Sequence, residues 1–138
     1  MPKLNVSYVL DSYAIITFFK RQPGWEEVEK LLEESATSGK KMFLSLINWG
    51  EIIYTRIASS NESEGERTEK ILESFPIEII PPDLSITRQA AIFKALGGIS
   101  YADCFAAALA VERNAVLVTG DREFEKLENL GYLKVKWI

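Results

Sequence analysis

Three acidic residues stand apart from the other charges of the chain, and a fourth follows an apolar strand. Asp11 is the only charged side chain between Lys3 and Lys20, Glu51 the only one between Lys41 and Arg56, and Asp103 the only one between Lys94 and Glu112. Asp121 follows the apolar run Ala115-Val116-Leu117-Val118 by way of Thr119-Gly120. Stripping the hydration from a carboxylate is costly, so an acid set in an apolar run needs something to meet it, either a donor elsewhere in the fold or a cation from solution. The chain has no histidine and one cysteine, Cys104. Imidazole bases, His-dependent nucleophilic triads, His-ligated zinc, multi-cysteine zinc clusters and an internal disulfide are therefore all excluded. What remains for polar chemistry is mainly carboxylate, and a cluster of carboxylate oxygens suits hard cations such as Mg²⁺ or Mn²⁺.

The elements that would position these acids can be read from the apolar pattern. Short β-branched runs at Asn5 to Leu10, Met42 to Ser45, Ile77 to Ile80, Ala115 to Val118 and Leu133 to Trp137 predict strands. Between them, helical periods predict helices at Ser12 to Lys20, Gly24 to Thr37, Leu46 to Ala58, Ser63 to Ser74, Leu84 to Leu96, Tyr101 to Arg113 and Arg122 to Leu130. Strands separated by helices of this length cannot be hairpins, so the expected fold is a three-layer α/β/α domain around a mainly parallel five-stranded sheet. The polar stretch Ser59 to Lys70 reads as a solvated loop running into an exposed helix, and Pro81-Pro82 ends the third strand. At 138 residues and 47% hydrophobic, residues 1–138 are expected to form one domain with a continuous core. The net charge of −4 argues against a broad basic surface for nucleic acid but leaves room for a local site. No apolar run reaches membrane-spanning length and MPKLNVSYVL is too short and polar for a signal peptide, so the expected location is cytoplasmic.

In this arrangement Asp11 and Asp121 each follow a strand and precede a helix, and Asp103 falls in the first turn of a helix. Ligands of open parallel sheets bind outside the carboxyl ends of the strands, where the four acids can converge. Taken singly, Asp11 and Asp121 are explained as helix N-caps, and Ser100-Tyr101-Ala102-Asp103 matches a capping box. Glu51 has no cap to make; its alternatives are an exposed helix charge or a buried ion pair. Capping and cation binding are compatible, because a helix N-terminus keeps a carboxylate ionised.

The runs VLDSYAII, SLINWGEI, SYADCFAAALA and VTGDREF, in this order across the whole chain, resemble the PIN domain, in particular the toxin ribonucleases of VapBC toxin–antitoxin pairs. The resemblance implies a metal-dependent endoribonuclease whose acidic pocket is built by Asp11, Glu51, Asp103 and Asp121. It assigns Asp11, Asp103 and Asp121 to direct or water-mediated contact with Mg²⁺ or Mn²⁺, and Glu51 to the metal or to the attacking water. Ser12 and Thr119 hold the family's two small hydroxyl positions, as supports for carboxylates or phosphate. Such a site hydrolyses RNA by in-line attack of water, leaving a 5′-phosphate and a 3′-hydroxyl, with no need of histidine or of the 2′-hydroxyl. The implied partners are an RNA substrate, a VapB-like antitoxin whose C-terminal segment covers the pocket, and a second copy in a homodimer.

Lys20, Arg21, Arg56 and Arg122 flank the expected pocket in sequence, but scattered bases on an acidic domain are ordinarily solvated surface. Trp25, Trp49 and Trp137 are expected in packing rather than on bases, and Cys104 as a small buried residue. Three other readings differ in class: a PIN-like RNA-processing nuclease outside a toxin–antitoxin pair, a non-catalytic interaction domain, and a haloacid-dehalogenase-like phosphotransferase. The last needs a second Asp two positions after the first, where this chain has Tyr13.

Overall fold

A computed structural model describes residues 6–138. Five strands, β1 (Tyr8–Leu10), β2 (Met42–Ser45), β3 (Ile77–Ile80), β4 (Val116–Thr119) and β5 (Val135–Trp137), form one sheet in the order β3-β2-β1-β4-β5. All four pairings are parallel. Seven helices connect them: α1 (Ser12–Lys20), α2 (Trp25–Ser38), α3 (Leu46–Ser59), α4 (Glu62–Glu73), α5 (Leu84–Ala95), α6 (Tyr101–Glu112) and α7 (Glu125–Asn129), with a 3₁₀ turn at Arg122–Phe124 ahead of α7.

Alternation along the strands divides the interior into two cores. Val9 and Leu117 face a core built with Ala90 and Phe93 of α5, Phe105 and Leu109 of α6, and Phe124 and Leu127. Leu10, Leu44 and Val118 face the other, with Ile15 of α1, Val28 and Leu31 of α2, Ile52 of α3 and Leu72 of α4. The three-layer α/β/α expectation holds. Phe93 and Phe124 are fully buried, and a buried side chain of this size contributes about 1.5–3 kcal/mol.

The chain runs outward from β1 to β3, then crosses back to lay β4 against the free side of β1. The sheet's topological switch point therefore lies between the carboxyl ends of β1 and β4. Side chains open five of the helices: Asp11, Ser45, Asn61, Asp83 and Ser100 each accept a hydrogen bond from a first-turn N–H, worth about 0.5–2 kcal/mol against alanine.

Several expected boundaries shift. Asn5 lies outside the described residues, and β1 begins at Tyr8, although the Ser7 carbonyl still accepts from Val116 N–H at 2.8 Å. Strand β4 is displaced by one residue because Asn114 takes a left-handed φ of 50° and the Ala115 N–H bonds back to the Ala110 carbonyl. That displacement puts Thr119 inside the strand. Leu133 packs in the core before β5 begins at Val135. Ser59 to Lys70 is mostly helix: Ser60-Asn61 links α3 to α4, and Gly65, Thr68 and Leu72 face inward. A Cβ at Gly65 would stand 2.5 Å from Ile57 Cγ1, so the close approach of α3 and α4 needs glycine there. Among the described residues no helix is long and apolar enough to cross a membrane.

Candidate metal centre

Asp11 ends β1 and caps α1. It is completely buried. Its Oδ1 accepts from Ala14 N–H at 2.8 Å and its Oδ2 accepts from the Thr119 hydroxyl at the end of β4. That hydroxyl oxygen in turn accepts from Asp121 N–H at 3.0 Å. Thr119 thus fixes two of the acids across the switch point, and Asp121 is turned by a second bond in which its Oδ1 accepts from Glu123 N–H at 3.0 Å.

Asp103 is 8% exposed at the third position of α6, where its own N–H donates to the Ser100 hydroxyl oxygen at 3.3 Å. A complete capping box would have the Asp103 carboxylate accept from Ser100 N–H. Here that N–H donates to Glu123 Oε1 at 3.0 Å. The substitution turns Asp103 toward its acidic neighbours, and carboxylate oxygens of Asp103, Asp121 and Glu123 lie within 4.8 Å of one another.

Glu51, in α3, lies close enough to Asp11 for its charge to act on that carboxyl. Its Oε1 accepts from the Ser12 hydroxyl at 2.9 Å and from Asn48 Nδ2 at 3.0 Å. Asn48 is fully buried and also donates to the Ala102 carbonyl at 3.3 Å, tying α3 to the first turn of α6. Its Oδ1 has no hydrogen-bond partner among the described residues.

The electrostatics follow from this crowding. Burial, only partly offset by the bonds from Thr119 and Ala14, pushes the Asp11 carboxyl up to about 7, with the charges of Asp121 and Glu51 adding to the rise. Burial, then the charge of Asp121, pushes Asp103 up to about 8. Among the described residues no basic side chain forms an ion pair with any of these five acids. The flanking arginines are committed elsewhere: Arg21 to Glu29 at 3.6 Å, Arg56 to Glu64 at 3.5 Å and Arg122 to Glu125 at 3.8 Å. The donor set is all oxygen, crowded and uncompensated, which suits a hard divalent cation. A cavity of about 660 Å³ lies at the opposite ends of β1 and β2, beside Tyr8, Lys41 and Met42, and contains none of the acids.

The structure therefore brings Asp103 and Asp121 into one compact group with Glu123 and sets Asp11 near enough to feel the charges of both Asp121 and Glu51. Two functional candidates were missed in the sequence. Glu123 is hidden in the charged run Asp121-Arg122-Glu123-Phe124-Glu125-Lys126. Asn48 is neutral, its one signal being its place three residues before Glu51 on the same helix face. Cys104 is fully buried, and burial pushes its thiol up to about 11, which removes it from thiolate chemistry at neutral pH.

Residues 8–130 match the PIN domain model. The chain belongs to the PIN domain family. No curated protein matches it in sequence. Among solved structures this PIN domain is similar to VapBC-1 from nontypeable Haemophilus influenzae, with 22% identity and a TM-score of 0.70 over 96% of this chain and 98% of that one. It is similar to VapBC2 from Rickettsia felis, solved bound to a DNA fragment from its promoter, with 19% identity and a TM-score of 0.73 over 96% and 99%. It is also similar to VapC20 from Mycobacterium tuberculosis, a sarcin-ricin loop cleaving toxin, with 13% identity and a TM-score of 0.68 over 87% and 94%. At these identities the likeness is one of fold.

Asn48→Leu is expected to weaken Mn²⁺ binding by about 10–100-fold, because groups that orient a ligand carboxylate carry that much of a site's affinity. Titrating the melting temperature with Mn²⁺ reads this directly; an unchanged midpoint would show that Asn48 serves only to join α3 to α6.

Proposed function

We propose that this PIN domain is a metal-dependent endoribonuclease of the VapC type, acting in the cytoplasm as the toxin of a toxin–antitoxin pair. The observation that carries the reading is the meeting of Asp11, Asp103, Asp121 and Glu123 at the switch point of the sheet, with no basic side chain among the described residues to neutralise them. Asp103, Asp121 and Glu123 would hold Mg²⁺ or Mn²⁺, with Asp11 in direct or water-mediated contact. When bound, the cation lowers the pKa of water and offsets the charge that develops at phosphorus. Thr119 holds Asp11 and Asp121 in register across the strand ends. Ser12 and Asn48 aim Glu51, whose carboxylate would complete the ligand set, directly or through the attacking water that it orients and deprotonates. In-line displacement then leaves a 5′-phosphate and a 3′-hydroxyl.

The likeness to VapBC structures supports an antitoxin partner here; its C-terminal segment would cover the acids, and two copies of the nuclease would form a homodimer. Purified protein is expected to cleave single-stranded or looped RNA in Mg²⁺ or Mn²⁺ and not in a chelator. Expression alone should arrest a bacterial host, and co-expression of the cognate antitoxin should relieve the arrest. Protein that cuts no RNA with either metal, and leaves growth untouched, would refute the reading.

A further inference from the structure

Tyr13 is the second residue of α1, directly after the Ser12 that holds Glu51 and two residues after Asp11. Its side chain does not enter the core: the residue is 43% exposed. Its ring lies against the backbone of Gly120, the residue between Thr119 and Asp121. A Cβ at position 120 would stand 2.4 Å from Tyr13 Cε1, 2.9 Å from its Cζ and 3.1 Å from the Ile138 main-chain oxygen. Only glycine allows the ring to settle there. Tyr101 and Tyr132, two other exposed tyrosines, pack edge-on against Phe105 and Phe93. Tyr13 has no such ring partner and its hydroxyl makes no hydrogen bond among the described residues. The result is an aromatic ring held by main chain, open to solvent, beside the residues that carry Asp11 and Asp121.

The electrostatics of the protein say what such a ring is for. A chain of net charge −4 gains little from phosphate neutralisation, the usual source of affinity for nucleic acid. Arg21, Arg56 and Arg122 are already paired with glutamates. Arg21 and Arg122 also lie over Trp25 and Trp137, at 4.1 and 4.4 Å from the ring centroids, which covers those indoles. Binding energy for a polyanion must then come largely from its bases, and stacking on an aromatic ring supplies it without regard to charge.

We propose that Tyr13 is a stacking platform for an unpaired nucleobase beside the scissile phosphate, and so a specificity-determining residue. This rests on the nuclease reading above. A duplex base is already stacked on its neighbours, so the platform favours single-stranded or looped RNA over paired RNA. It takes no part in the chemistry, and a phenylalanine in its place should serve equally well.

The test is binding of a fluorescein-labelled adenine oligoribonucleotide, and of an abasic ribose-phosphate oligomer of the same length, to the full chain carrying Asp103→Asn to block cleavage. With Tyr13 present, the adenine oligomer is expected to bind about tenfold or more tightly than the abasic one, the scale of one base–aromatic stack. Adding Tyr13→Ala should erase that preference, and adding Tyr13→Phe should keep it. In an otherwise wild-type background, Tyr13→Ala should retain the full Mn²⁺-induced rise in melting temperature, which excludes damage to the acid cluster. A base preference that survives Tyr13→Ala, or an equal loss of both oligomers, overturns the platform. Wild-type protein that responds to Mn²⁺ and cleaves RNA yet shows no base preference sinks the platform alone; protein that does neither sinks the nuclease reading and this inference with it.

Discussion

Asp103→Asn is expected to lower Mn²⁺-dependent RNA cleavage by on the order of 10³-fold, the scale of losing a group that stabilises charge in the transition state, while the protein stays folded. Asparagine keeps the shape of the side chain and removes its charge. Stability should not suffer, because the helix cap at this turn is made by Ser100 and the Ser100 N–H is satisfied by Glu123, so Asp103 supplies neither bond. Its carboxyl is buried beside Asp121 and pushed up to about 8, so an amide, which needs no proton, removes the cost of neutralising that group when the metal-free chain folds at neutral pH. Initial rates on a cleaved RNA, with circular dichroism as the check on folding, decide the point. Cleavage at the wild-type rate would remove Asp103 from the catalytic machinery.

Saturating Mn²⁺, at about a hundred times its dissociation constant, should stabilise the native state by roughly 2.7 kcal/mol, a rise of roughly 10 °C in melting temperature for a domain of this size. The effect has a pH signature. Asp11 and Asp103 have native values of about 7 and 8 against an ordinary 3.8. Between those limits the native state binds more protons than the unfolded chain, so their contribution to stability is complete below about pH 4 and is lost as pH rises through 7 to 8. The metal-free protein should therefore melt higher near about pH 5 than near about pH 8.5, and Asn variants at Asp11 and Asp103 should flatten that difference. Mn²⁺ competes with the same protons, so its stabilisation should be large at the higher pH and small at the lower. Melting curves at both values, with and without Mn²⁺, test this. A wild type with no Mn²⁺ shift at either pH would reduce Asp11, Asp103 and Asp121 to caps and packing.

The main acids were legible because isolation is visible in one dimension. A charge alone in an apolar run marks itself, and the helical or strand period around Asp11, Glu51 and Asp103 says which element carries it. Glu123 could not be found that way, since its neighbours in the chain are charged and its role depends on a bond to Ser100 made in three dimensions. The same camouflage hid the inward stripe of α4, where Gly65, Thr68 and Leu72 lie among glutamates. Strand order was not legible either: periodicity gives parallel strands and crossovers, but the return of β4 to the side of β1 is decided by packing between distant segments. The two capping assignments for Asp11 and Asp121 were correct as far as they went, and they coexist with the cluster because a carboxylate has about four lone-pair sites and a cap occupies one of them.

The bond from Thr119 to Asp11 joins residues 108 positions apart, and this sets a clock on the ribosome. At roughly 5–20 residues per second, Asp11 waits several seconds or more for the strand that completes its surroundings. Until β4 has emerged and docked beside β1, a nascent chain presents Asp11 and Glu51 without Asp103, Asp121 or Glu123 in place. Parallel pairing of this span is also among the slower events in folding, because a long loop must close before any contact offsets it. On the nuclease reading proposed above, a centre assembled so late stays inert toward the messenger and ribosome from which it is being made until β4 has docked beside β1.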